Sequence, residues 1–569
     1  MLDRPKKSLM VLLILILSFS VFTACSKETN SNNAGQNSSP EASKAPEAVT
    51  EDNFSKGKFD PPVTITTSGC TNSAYVFKNG ETLENNVHTK WAKDRLGIDI
   101  KYNWVTADDQ CSTKIRLALS SGERLPDVMR MHDQNLINDL IEADKLMDIT
   151  SAFDQYASEE LKAIYNQDPS YWYGAARDGK KYGIPILNFS LQNDPLMWVR
   201  QDWLEQLNLQ APTTFDELEV VMDAFIEANL GNVKKPVGMA VGIKNGYATW
   251  MSDASWIFGG YGVIPGYWNK WNGASELQYG SIRPEAKEAL AKMNEWYNKG
   301  YISPDAGLSD ESKASELFTN GSSGFIFGPM WMAGWPMRDV LQQNNPDAKY
   351  KAYPVPSGPS GKSGLHGSPI PDGALMISKD FKHIDALILY LNTLAAGAIA
   401  KDGEFMYGWH EDYDYTMIDG KPSYNGDDVP GGQVYPEKYF LMQAPLDPYH
   451  ELNLMKKIAN NEPIDSPRDQ VTAENIKTDE AARIRYETDL MAEAQKDRGL
   501  HNLYTGAATK TLLEKGEALK KIEGETFSEI IYGKAPIDNF DSFVKKWSDL
   551  GGVQLTSEVN DWYKSVGGK

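Results

Sequence analysis

Val63-Thr64-Ile65-Thr66-Thr67, Ile98-Asp99-Ile100-Lys101-Tyr102-Asn103-Trp104 and Pro126-Asp127-Val128-Met129-Arg130-Met131 are three strand-like runs near the start of the chain. Residues 83–96 lie between the first two and read as a helix stopped by Gly97. Lys114, Ile115, Leu117, Ala118 and Leu119 lie between the second and third and read as another helix, stopped before Gly122. The order strand–helix–strand–helix–strand predicts a parallel sheet with helices on both faces, an α/β fold. In such a sheet, ligands bind beyond the carboxyl ends of the strands.

The same alternation continues outward. Thr214-Phe215-Asp216-Glu217 reads as a capping box opening a helix over 218–228. Pro284 sits at a first helical position, and Ala286, Ala289, Leu290, Met293, Trp296 and Tyr297 follow at helical spacing before Gly300. At 569 residues the chain exceeds what one core organises, so two domains or two lobes are expected. A formal net charge of −21 opposes phosphate backbones and anionic lipid surfaces, which excludes nucleic-acid binding. Aromatic content is 11%, with 15 Trp and 27 Tyr, a surplus that asks for a use.

Arg4, Lys6 and Lys7 precede an apolar run over 9–22 that is short for a membrane span and reads as an export signal, residues 1–24. Val21-Phe22-Thr23-Ala24-Cys25 resembles the lipobox of bacterial lipoproteins, with Phe22 where Leu is usual. The resemblance implies cleavage before Cys25 and acylation of its thiol, placing the protein at the outer face of the cell membrane. A plain secreted protein cut elsewhere is the alternative. Residues 25–58 are poor in aliphatic side chains and are expected to form a flexible tether after the lipidated Cys25. Cys70 and Cys111 each follow a strand, at the same end of one sheet in an oxidising compartment. A disulfide and two separate thiols both remain open.

Four runs carry a wider resemblance: Leu125-Pro126-Asp127-Val128, Tyr182-Gly183-Ile184-Pro185, Trp198-Val199-Arg200-Gln201-Asp202-Trp203-Leu204 and Gly324-Phe325-Ile326-Phe327-Gly328-Pro329-Met330-Trp331. In this order, after a lipobox and a tether, the chain resembles the extracellular solute-binding lipoproteins of carbohydrate-type ABC importers, the broad class of maltose-binding protein. That resemblance implies a two-lobed, periplasmic-binding-protein-like (type II) fold with discontinuous lobes and a hinge. The expected division is 59–190 plus 330–395 for the first lobe and 191–329 plus 396–569 for the second. Crossings are expected at 185–194, 328–335 and 394–400. The implied function is capture of a carbohydrate, an oligosaccharide, in the inter-lobe cleft and its delivery to ABC permease subunits. The implied state is a monomer without cofactor.

Sugar recognition joins aromatic rings, which cover pyranose faces, to planar polar groups, which pair with hydroxyls. Asp133, in His132-Asp133, matches a sugar-binding aspartate of the family, whereas the stacking Trp beside it is replaced by Met129-Arg130-Met131. Asp133 also suits a helix N-cap. Tyr247 matches a sugar-contacting Tyr, and Asn245 replaces a Glu. Trp250 and Trp256 open a Gly-rich aromatic stretch that also holds Tyr261, Tyr267, Trp268 and Trp271, and Trp331 and Trp335 follow the Gly-Pro pair. Thr71 and Asn72 follow the first strand, at a contact position in the family.

Ser360-Gly361-Lys362-Ser363 lacks the earlier glycine of a phosphate loop and reads as a surface turn. Glu411, Asp412, Asp414 and Asp419 miss the calcium-loop spacing, and Asp419-Gly420 reads as a hairpin turn. Residues 228–232, Ala-Asn-Leu-Gly-Asn, lack the carboxylates of the calcium loop that some relatives carry there. Neither a metal site nor catalysis is expected. The alternatives are a surface-anchored glycan hydrolase or lyase, and a receptor for a non-sugar solute.

Overall fold

The computed structural model describes residues 51–71 and 75–566. The export signal, Cys25, most of the tether and Asn72 lie outside the described residues. Eight strands build two sheets: β1 (Val63–Thr71), β2 (Ile98–Ala107), β3 (Val128–Met131), β4 (Gly183–Leu187), β5 (Leu196–Arg200), β6 (Phe325–Gly328), β7 (Tyr350–Tyr353) and β8 (Pro371–Ile377). The first sheet has the order β2-β1-β3-β8-β4. Its β1, β2 and β3 are parallel, as their helical connections require, while β8 runs antiparallel to both β3 and β4. The second sheet, β6-β5-β7, is antiparallel throughout.

Period-two alternation places both faces of each sheet in apolar cores. Val128, Leu375 and Ile377 face the core built around Phe153, Tyr165 and Leu391, while Met129, Met131 and Met376 face a smaller one with Leu136 and Leu140. In the second sheet, Met197, Val199, Phe325 and Phe327 point into the main core, and Leu196, Trp198 and Ile326 to the other side. The helices Lys510–Ile531, Asn539–Trp547 and Val553–Ser565 close the main core with Phe527, Phe543, Trp547 and Val559.

Local signals match the structure in type more than in extent. The first helical stretch starts at Val87 behind the Asn86 cap, four residues later than expected, and widens to a π-type turn over Ala92–Leu96 before the left-handed Gly97. Thr214 caps the helix Phe215–Ala228 by accepting the Glu217 N–H. The Glu217 carboxylate reaches back to the Thr213 N–H at 2.8 Å rather than to the cap itself, so the expected capping box is only half formed. Within the expected tether, Glu51–Ser55 is helical. Phe54, an aromatic residue in a polar run, packs on Tyr156 at 5.0 Å and draws this end onto the domain. Cys70 and Cys111 are joined, with Cα atoms 5.9 Å apart.

The lobes divide differently from the expected boundaries. Residues 330–353 stay with the second sheet because β7 pairs with β5 and inserts Tyr350 and Ala352 beside Trp198. The chain returns to the first sheet only at 366–371, entering β8. Residues 405–442 lie with the first lobe because Phe405, Trp409, Phe440, Leu441 and Met442 fill its core beside Tyr390 and Leu394.

Trp256 is wholly buried, with Phe327 stacked on it at 3.8 Å and its indole N–H donated to the Asp253 carbonyl. Trp256→Ala is expected to cost about 3–5 kcal/mol in urea unfolding. An unchanged midpoint would contradict this packing. The 41-residue separation of the two cysteines makes the cross-link a constraint on the unfolded chain. Paired Cys70→Ser and Cys111→Ser substitutions are expected to lower stability by about 2–5 kcal/mol, read as a fall in melting temperature.

Candidate functional site

The parallel strands bring their carboxyl ends to one edge of the first sheet, beside the crossings to the second. There β3 ends in Arg130 and Met131, followed by His132 and Asp133. His132 Nδ1 stands 3.4 Å from Asp372 Oδ1, on the strand that returns alongside. The His132 hydrogen bond holds the Asp372 carboxyl below the usual range against the opposing effect of burial, with Asn188 and Arg130 adding to it. Arg130 Nε is buried without a hydrogen-bond partner.

Asp133 is the N-cap of the helix Gln134–Glu142, where its Oδ1 accepts the N–H groups of Asn135 and Leu136, both at 3.1 Å. Its Oδ2 accepts from Arg116 at 3.0 Å. Roughly three of the four acceptor sites of this carboxylate are therefore taken up within the protein. The cap reading explains Asp133 without a ligand. Thr71 ends β1 with its hydroxyl donated to the Thr106 carbonyl at 3.4 Å.

The second lobe presents tryptophans. Trp250 lies 5.7 Å from Trp331 and 6.3 Å from Trp335, and the latter two are 6.4 Å apart, all with interplanar angles of 25° or less. Trp250 is 37% and Trp335 39% exposed, large fractions for rings already sheltered by their neighbours. The Trp331 indole N–H donates to the Gln192 carbonyl at 3.0 Å, tying the cluster to the first crossing. Trp331 also lines a cavity of about 770 Å³ with Arg338, Tyr424, Gln433, Tyr435 and Arg485. Tyr435 is 47% exposed and comes from the segment that packs on the first lobe.

Trp256 and Tyr247, expected at the site, are drawn into the main core instead. Tyr247 packs on Phe258 at 5.0 Å and Phe527 at 6.0 Å, and burial pushes its hydroxyl pKa up. Asn245 is exposed and donates to Glu311 Oε2 at 2.9 Å. Of the expected residues, the structure gathers Trp250, Trp331 and Trp335. Sequence reasoning missed Asp372, Asn188 and Tyr435. Tyr435 and Asp372 belong to segments whose lobe depends on long-range pairing, and no local signal marks them.

The motifs set aside have structural explanations. The Gly358 N–H donates to the Lys362 carbonyl, closing a surface turn at the lysine that resembled a phosphate loop. Asp414 accepts the N–H groups of Trp409 and His410, and Asp419 and Gly420 are the left-handed pair of a hairpin. Asn229 closes its own loop by bonding both the N–H and the carbonyl of Val233.

Comparison with known proteins agrees with this architecture. The profile of the bacterial extracellular solute-binding proteins matches residues 76–398, more than half of the chain. The polygalacturonan/rhamnogalacturonan-binding protein YtcQ of Bacillus subtilis is 23% identical over 399 residues, 68% of this chain and 71% of its own. Lipoprotein LipO of the same organism is 23% identical over 487 residues, 82% and 87% of the two chains. The structure of the S. pneumoniae ABC-transporter substrate-binding protein FusA in complex with kestose superposes with a TM-score of 0.62 at 17% identity, covering 89% of this chain and 99% of that one. The fold is thus the two-lobed fold of binding proteins, as the sequence resemblance implied, and the expectation of a binder rather than an enzyme agrees with it. The chain belongs to the bacterial extracellular solute-binding protein family.

Proposed function

We propose that this protein is a lipid-anchored receptor that captures an oligosaccharide between its lobes and hands it to the permease of an ABC importer. The observation that carries the reading is the stack of Trp250, Trp331 and Trp335, with two rings part exposed beside the crossing between the lobes. An exposed aromatic stack offers flat apolar area to sugar C–H faces. Its rings already hold one another, so little side-chain freedom is lost on binding. On the first lobe, His132, Asp372 and Asn188 offer donors and acceptors to hydroxyls. The names of relatives point the same way: YtcQ by its pectic polymers, and FusA by its bound kestose.

Closure follows if the guest touches both lobes, because only interactions stronger in the closed state than in the open one shift the hinge equilibrium. The lipid anchor rests on Val21 to Cys25 and on the lipoprotein name of LipO. One chain supplies both sides of the groove, so capture needs no second copy.

Calorimetry of the mature chain against a panel of oligosaccharides tests the reading. Trp331→Ala and Trp335→Ala are each expected to weaken the best ligand about ten-fold, roughly 1.4 kcal/mol, with folding retained. Full affinity in both variants, or binding by no glycan while a non-sugar solute binds, would sink it. Asp133→Ala is expected to lower stability by about 1 kcal/mol through the lost cap and to leave affinity within about two-fold. In cells, Cys25→Ser should release the protein from the membrane fraction, and retention there would count against acylation.

A further inference from the structure

A second cavity of about 870 Å³ opens on the side of the crossing where Tyr171 and Tyr173 of the first lobe meet Tyr267, Tyr504 and Trp562 of the second. Tyr173 and Trp562 touch edge to face, with centroids 6.1 Å apart at 85°, so the two lobes share this wall. His366 lines the cavity from the return crossing. Its side chain is only 5% exposed, and neither ring nitrogen has a hydrogen-bond partner. The carboxylate near it, Asp253, stands 3.7 Å away and is occupied by the N–H groups of Thr249 and Ser255 and the Ser255 hydroxyl. A buried imidazole without a partner is costly, and a guest hydroxyl in the cavity would satisfy it.

The backbone beside His366 lets His501 pack closely into the cavity wall. Gly367 has φ +75°, and a Cβ there would collide with the ring of His501. Any other residue would strain the chain or push His501 from its place in the wall.

The charge of the wall is equally informative. Among the described residues lining the cavity there is no Lys or Arg, and the carboxylate is that of Asp168. Arg177, whose field reaches Tyr504, donates to Asn138 Oδ1 at 2.6 Å, and Arg130 is outside the lining, with Asp372 in its field. A carboxylate brought into such a wall would lose hydration without gaining a cation.

We infer that this cavity is a second sugar-binding site of the receptor and takes an uncharged glycosyl residue, its face on the aromatic wall and a hydroxyl bonded to His366. The inference rests on the carbohydrate reading above and narrows it to neutral oligosaccharides, in contrast to the acidic polymer named for YtcQ. The test is calorimetry of the mature chain with neutral trisaccharides (kestose, maltotriose, xylotriose, mannotriose) and acidic ones (trigalacturonate, trimannuronate). At least one neutral trisaccharide should bind, with both acidic ones at least 100-fold weaker. His366→Leu, an apolar side chain of similar volume without the nitrogens, and Tyr173→Ala, at a half-buried position, should each weaken it ten-fold or more with cooperative unfolding retained. Acidic ligands binding as well as neutral ones would overturn the inference. So would wild-type affinity in both variants while Trp331→Ala weakens binding, an outcome that leaves the carbohydrate reading standing. If none of the six binds, the inference falls, whereas the carbohydrate reading falls only if no glycan of the wider panel binds.

Discussion

The two segments that cross between the sheets are bonded to each other, and the geometry of every candidate contact depends on that pairing. The Asn188 N–H donates to the Ile370 carbonyl at 2.7 Å, and the Asn193 N–H donates to the Ser368 hydroxyl, also at 2.7 Å. The Ser368 hydroxyl donates to Asp194 Oδ1 at 2.8 Å, and the Ser190 N–H donates to the Pro448 carbonyl. A paired ribbon of this kind resists shear but bends, which suits a hinge whose few residues absorb the rotation. It also carries functional atoms: Gln192 holds the Trp331 indole, Asn188 supports Asp372, and His366 faces the second cavity. Bending would therefore move the stack and the polar edge against each other without disturbing either core.

The aromatic surplus divides by depth rather than by position in the sequence. Trp198, Trp256, Trp296 and Trp547 are fully buried and fill the cores on either face of the second sheet, where aromatic area contributes most to stability. Trp250, Trp331 and Trp335 are packed with comparable care yet left part exposed. Burying them would have given the more stable fold. Their exposure is thus informative in a way that the count of tryptophans is not.

Much of the fold was legible because it rests on local chemistry. Gly97 and Gly122 end their helices in the left-handed region, Pro284 opens its helix at the first position, and β1 to β3 follow one another with helical connections. The return crossing was not legible. It depends on four residues, Tyr350–Tyr353, finding Met197–Arg200 some 150 positions earlier, and nothing in the intervening sequence signals that pairing. Asp133 shows a second limit: an Asp between a strand and a helix has the same sequence signature whether it caps the helix or meets a ligand. Only the positions of the Asn135 and Leu136 N–H groups and of Arg116 separate the two. Tyr247 and Trp256 failed for a related reason, since an aromatic residue near glycines can lie in a core as readily as on a rim.

Charge completes the account. The chain carries a formal net charge of −21, yet charged groups near the groove are paired in place: Asp133 with Arg116, and Glu451 with Arg485. Groups already neutralised by neighbours add little long-range attraction for a charged guest, which leaves ring faces and neutral hydrogen bonds to choose the ligand. The excess acidity is left to the outer surface, where it favours solubility and opposes adsorption to anionic headgroups. The acylation of Cys25 proposed above would hold the chain at such a surface by a covalent tie rather than by charge.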